Sequence, residues 1–146
     1  MELNKRETIW TQPALFGGEI DRALVIREPY ASRIVDGTKK WEIRGSGTLI
    51  RGKIAIIAGG TGTMIGSCEL TDVIGPLSLD EYTLSYEQRG LRQIEACDKL
   101  PYKQTFAWVM SHAKRFRSPV AYEHPNGAVI WVKLKAAWQD RLALES

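Results

Sequence analysis

Apolar residues fall in short blocks separated by glycine and proline, and the spacing inside each block predicts its element. Arg22-Ala23-Leu24-Val25-Ile26-Arg27 is a continuous apolar run closed by arginines, the length of a buried strand. Pro29 suits a first helical position, Tyr30, Ile34 and Val35 fall on one helical side, and Gly37 closes the turn. Further strands are expected over Lys40–Arg44 and Lys53–Ala58, and over Met64–Ile74 with a bend at Gly66. Gly75-Pro76 stops the third of these. Ser78 with Glu81 forms a capping box, and Leu79, Tyr82, Tyr86, Leu91 and Ile94 carry helical spacing, divided at Gly90 and ended by Pro101. Phe106–His112 reads as a strand that continues past a bend toward Phe116, and Ala128–Leu134 as the clearest strand. Ala136–Leu144 predicts a closing helix with Trp138 and Leu142 on one side.

One crossover in this order can be βαβ, and the later strands follow one another through turns. The pattern predicts a mainly β, α+β fold: a small, largely antiparallel barrel with flanking helices, which hides the edges of apolar strands. The division expected is an arm over residues 1–20, the barrel over 21–135 and a helical tail over 136–146. Glycine and proline break regular pattern in the arm at Pro13 and Gly17-Gly18.

Composition narrows the class. At 146 residues, 44% hydrophobic and 25% charged, the chain is sized and composed for one globular domain. Its net charge of +3 permits an anionic partner without requiring one. The early charges Glu2, Lys5, Arg6 and Glu7 argue against a secretion signal, and the run Ile54–Ala58 is too short to cross a membrane. Cys68 and Cys97 read as buried thiols in a reducing compartment. The expectation is a cytoplasmic protein that does not meet membranes.

Asp36-Gly37-Thr38-Lys39-Lys40-Trp41-Glu42-Ile43-Arg44 is the densest mixed-charge segment at the start of a strand. Strand geometry puts Lys40, Glu42 and Arg44 on one face, and Trp41 with Ile43 on the other, expected to be core. Glu42 and Arg44 are then close enough to pair, and a turn after Gly37 can aim Lys39 at the same space. On periodicity alone a solvated face with a weak surface ion pair explains the segment slightly better.

Gly37-Thr38-Lys39-Lys40-Trp41-Glu42-Ile43-Arg44 resembles the G-x-K-x-x-E-x-R signature of the ASCH domain family. The lead-in of strand, Glu28-Pro29-Tyr30 and short helix, and the late Gly127 with Ile130-Trp131-Val132, are similar to that family as well. The resemblance covers roughly residues 22–134. It implies a PUA-like β-barrel, a fold known mainly from RNA-modifying and RNA-binding proteins, with a cleft between barrel and helix. It places Lys39, Glu42 and Arg44 in that cleft. Lys39 would hold a phosphate or act as a base, and Glu42 would accept from an exocyclic amine or act as general base. Arg44 would grip a phosphate or orient Glu42.

The family includes small bacterial proteins resembling amidohydrolases of N4-acetylcytidine, which carry Thr, the residue taken as nucleophile, where this chain has Glu42. Other members resemble metal-independent ribonucleases, whose chemistry Lys39, Glu42 and Tyr30 could supply as catalytic residues. The partner implied is RNA, a nucleotide or a modified nucleoside, with no cofactor.

Outside the signature, Lys114, Arg115 and Arg117 form the densest basic patch, beside His112 and interleaved with Phe116. With Trp108 and Tyr122 flanking them they suit single-stranded nucleic acid and join the candidate ligand-binding set. Gly59–Thr63 lacks the ending of a phosphate-binding loop and reads as a hairpin turn, as does His124-Pro125-Asn126-Gly127. Two separated histidines without a Cys/His cluster point to no metal. Three readings remain: a binding module, a hydrolase (ribonuclease or nucleoside amidohydrolase), and an adaptor for a protein partner.

Overall fold

A computed structural model describes residues 20–128 and 130–145. The elements are β1 (Arg22–Ile26), α1 (Tyr30–Val35), β2 (Trp41–Arg44), β3 (Gly52–Ala58), β4 (Thr63–Ile74), α2 (Leu79–Leu84), β5 (Phe106–Ala121), β6 (Trp131–Lys133) and α3 (Ala136–Glu145). The predicted arm lies outside the described residues apart from Ile20, which is buried. Among the described residues no helix is long and apolar enough to cross a membrane.

Six strands form one sheet in the order β2-β5-β4-β3-β1-β6. β1 runs parallel to β3, with Leu24 opposite Ile56, and every other neighbour is antiparallel. β1 and β3 sit inside the sheet and are covered on both faces, which is why they read as continuous apolar runs rather than as alternation. Leu24, Ile26, Ile54 and Ile56 face one cluster with Ala31, Ile34 and Val35 of α1. Ala23, Ala55 and Ile57 face the other, with Phe116, Val132 and Leu142 of α3.

The sheet curls into a half-barrel, as the mainly β reading expects. Trp108 on β5 and Trp131 on β6 are separated by three strands, yet their rings stack with centroids 6.0 Å apart. Gly66 permits α1 to lie close on β4, because a Cβ there would come within 2.6 Å of Val35 Cγ1.

Four expectations change. The helix after Ser78 keeps its capping box but ends at Leu84, so Leu91 and Ile94 lie beyond it. The chain there turns through 85–90 and uses the Gln88 carbonyl to accept from Lys40 and Trp41 N–H, a tertiary demand that helical spacing does not register. β5 runs on to Ala121, because register shifts against β4 absorb the expected bend. The last strand is regular only over Trp131–Lys133; of its expected start, Val129 lies outside the described residues. Cys97 is half-buried, unlike Cys68, whose buried thiol is pushed up to about 12 by desolvation.

The faces of β2 also reverse. Glu42 is 7% exposed and Lys39 5%, whereas Trp41 and Ile43 are half-buried and Lys40 is exposed. β2 is an edge strand whose inner side meets a polar hollow rather than the apolar core, so its charges point in.

Candidate functional site

The hollow is built by the segment that joins α1 to β2. Glu28 caps α1 by accepting from Ser32 N (2.8 Å) and Ser32 Oγ (2.6 Å). At its other end Gly37, with φ at +81°, lets the chain reverse. Thr38 N and Lys39 N then both donate to Arg33 O at 3.0 Å. Lys40 N and Trp41 N donate to Gln88 O at 2.8 and 2.9 Å. The Lys39 backbone is thus held between the end of α1 and the turn that follows α2. Gly90 makes this approach feasible: its φ is +86°, and a Cβ there would stand 3.0 Å from Lys39 Cβ.

The resulting cleft has a volume of about 660 Å³, inside the roughly 300–1,000 Å³ range of small-ligand pockets. Its floor is β1 and β2, one wall is α1, and the other is the segment from Tyr82 to Tyr102. Tyr30, Lys39, Glu42 and Arg44, all expected from sequence, line it together.

Arg44 Nε and Nη2 approach Glu42 Oε2 at 3.1 and 2.9 Å, and Nη2 also donates to Val25 O at 2.8 Å. The guanidinium lies 5.5 Å from the Trp108 ring centroid, a cation–π contact, and Trp108 Nε1 donates to Ser46 O. Lys39 Nζ sits 5.5 Å from the Tyr30 ring centroid. Burial pulls the Lys39 pKa from 10.5 down to about 8; Glu42 opposes that shift, and Arg89 and Arg33 add to it. A lysine that titrates this close to neutrality can hold an anion or take a proton.

Sequence reasoning missed Arg33, Tyr82, Arg89 and Tyr102, which also line the cleft. Arg33 follows Tyr30 by three residues on a helix, a spacing that already puts them on one side. Arg89 carries no such signal; only the fold brings it to Lys39. Its guanidinium lies 4.0 Å from the Tyr82 ring centroid, and Nε donates to Tyr82 O and Ser85 Oγ.

The basic patch does not join this cleft. Arg115 pairs with Asp36 (2.8 Å), holding that carboxyl below its ordinary range, and Arg117 donates to Leu144 O. Lys114 is exposed on β5, and Trp108 is buried in the core rather than beside it as a stacking ring. His124 donates through Nε2 to Ala128 O and accepts at Nδ1 from the Tyr122 hydroxyl, which keeps it in its own turn. Among the described residues no group of His, Cys, Asp and Glu is arranged to hold a metal ion.

The ASCH domain model matches residues 24–120, a span that contains the signature, α1, β2 and the Tyr82–Tyr102 wall. The chain belongs to the ASCH family. Crystal structures of ASCH from Zymomonas mobilis share its fold. One superposes with a TM-score of 0.60 at 16% identity, covering 84% of this chain and 93% of the other. A serine-to-alanine variant of the Zymomonas protein superposes with a TM-score of 0.59 at 17% identity, covering 88% and 99%. No curated protein matches this ASCH chain by sequence.

Proposed function

We propose that this ASCH protein binds a nucleotide or a modified nucleobase, free or within RNA, in the cleft built on residues 37–44. The observation that carries the reading is the convergence of Lys39, Glu42 and Arg44 on one hollow of ligand size. Among the described residues Glu42 Oε1 accepts no hydrogen bond while Arg44 fixes Oε2, so Glu42 presents an oriented acceptor to an exocyclic amine. Arg27, Arg33, Lys39 and Arg89 supply positive charge around it, and Tyr30, Tyr82 and Tyr102 supply rings on which a base can lie. The test is titration calorimetry with nucleosides, nucleotides and short single-stranded RNA. Binding that disappears in Glu42→Ala and Lys39→Ala, with the fold intact by circular dichroism, supports the reading; binding that survives both refutes it.

A second reading has its own support. The Lys39 pKa near 8, beside a carboxylate and Tyr30, suits a general base better than passive phosphate holding needs. It favours a hydrolase acting on the same ligand, either a ribonuclease using the ribose 2′-hydroxyl or an amidohydrolase of a modified nucleoside. Glu42 stands where the amidohydrolase-like relatives carry a threonine, so an amidohydrolase here would use water activated by Lys39 or Glu42. Product formation from RNA or N4-acetylcytidine, lost in Lys39→Met, separates an enzyme from a binding module.

A further inference from the structure

We propose that the Arg33–Lys39–Arg89 end of the cleft is a pocket for a terminal phosphate dianion, so that the ligand is a phosphate monoester: a nucleoside monophosphate or a phosphorylated RNA end. The inference deepens the reading above and rests on it.

Three observations converge on that end. Arg89 is 9% exposed and lines the cleft, and its Nη2 is a buried donor with no hydrogen-bond partner among the described residues. A buried guanidinium N–H without a protein acceptor is rare, and it is met by water, an ion or a ligand. An arriving phosphate oxygen is the acceptor it lacks. Secondly, the guanidinium is held in place before any ligand arrives, over the Tyr82 ring and tethered through Nε. A pre-set fork is the geometry that recognises phosphate oxygens in pairs. Thirdly, the charges at this end do not balance. Arg44 is committed to Glu42, whereas Arg27, Arg33, Lys39 and Arg89 face the cleft with Glu95 as the other carboxylate lining it among the described residues. A phosphodiester brings one negative charge, but a monoester near neutral pH carries about 1.5 to 2 and three acceptor oxygens.

The groups around Lys39 are Tyr30 and Arg33 on α1, Glu42 on β2 and Arg89 after α2. Two of the cations already push its proton off. A dianion between the three would reverse that push, so binding takes up protons from solution just above the Lys39 pKa.

The experiment is titration calorimetry of the whole chain with the four ribonucleosides, their 5′-monophosphates, inorganic phosphate, and a tetranucleotide with a 5′-phosphate or a 5′-hydroxyl. At least one monophosphate should bind about tenfold or more tightly than its nucleoside. Arg89→Gln should erase the gap between the monophosphate and its nucleoside. Arg33→Gln, on the half-buried face of α1, provides the same test should Arg89→Gln fail to fold. Near pH 8.5 the monophosphate heat should vary with buffer ionisation enthalpy in the sense of proton uptake, and the nucleoside heat should not. A phosphorylated tetranucleotide binding as the mononucleotide does assigns the source as an RNA end; mononucleotide preference assigns a free nucleotide. Equal affinity for nucleosides and monophosphates overturns this inference and leaves the binding reading standing. Failure of every ligand to bind overturns both.

Discussion

Arg44 meets Glu42 through a single oxygen: both guanidinium contacts, at 3.1 and 2.9 Å, fall on Oε2, and the same Nη2 reaches across to Val25 O. One side chain thereby orients the acid and ties edge strand β2 to β1. The pair is largely shielded from solvent, so losing the cation leaves both a carboxylate and a carbonyl unsatisfied. Arg44→Ala should therefore cost about 2–3 kcal/mol in urea unfolding, and should weaken ligand binding as well. Arg44→Lys cannot reproduce the fork and should recover less than half of the loss. A stability change within a few tenths of a kcal/mol would mean that the tie is idle.

Lys39 gives a prediction whose sign runs opposite to that of an ordinary salt bridge. Its pKa is about 8 in the folded protein against 10.5 when unfolded. Below pH 8 both states carry the proton, and the folded state bears the cost of a buried charge. Between pH 8 and 10.5 the unfolded chain binds more protons, so stability rises with pH across that window. The span corresponds to a cost on the order of 3 kcal/mol at neutral pH. Lys39→Met should then stabilise the protein at pH 7 while abolishing binding. The difference in unfolding free energy between the two proteins should shrink as pH approaches 10. A difference that stays flat from pH 7 to 10 contradicts the burial of this ammonium.

How much of this could be read from the chain depends on which force decided each piece. The two buried strands were legible because Leu24 to Ile26 and Ile54 to Ala58 are apolar on both faces; their parallel pairing across the intervening β2 was not. The cleft residues Tyr30, Lys39, Glu42 and Arg44 were legible through the signature, which the alternation pattern could not have ranked above a solvated face. The orientation of β2 was not legible. Alternation assigns Trp41 and Ile43 inward on the assumption that inward means apolar, whereas here the inner side is a polar hollow. Arg89 was hidden for another reason: it lies 50 residues from Lys39, and only the docking of the Gln88 carbonyl on Lys40 and Trp41 brings the two together. Lys114, Arg115 and Arg117 show the converse, a local cluster that the long β5 carries away from the cleft.

That basic patch can be checked against the cleft directly. Arg115 and Asp36 form an exposed pair, worth well under ~1 kcal/mol. The combined Lys114→Ala, Arg115→Ala, Arg117→Ala protein should keep near-native stability and bind mononucleotides as the parent does. Its affinity for longer RNA should fall only through the general charge term, seen as a shallower dependence on salt. A selective loss of mononucleotide binding in this variant would move the site away from residues 37–44.

Gly90 separates backbone strain from site geometry when it is paired with a second glycine. Gly60 has φ +81° and nothing within 4 Å of a Cβ, so Gly60→Ala meets only the left-handed backbone penalty of about 1–2 kcal/mol. Gly90→Ala carries the same penalty at φ +86° and adds a Cβ 3.0 Å from Lys39 Cβ and 3.3 Å from Thr38 O. Because Lys39 N and Thr38 N are both anchored to Arg33 O, the segment has little room to retreat. The 85–90 turn must shift instead, and Arg89 shifts with it. The two variants should lose comparable stability in thermal melts, with Gly90→Ala somewhat worse. Ligand affinity should fall at least about tenfold in Gly90→Ala and stay unchanged in Gly60→Ala, since a displacement near 1 Å is enough to disrupt a pre-set site. Equal affinity in the two proteins would show that the turn carrying Arg89 need not be held against Lys39 for the cleft to work.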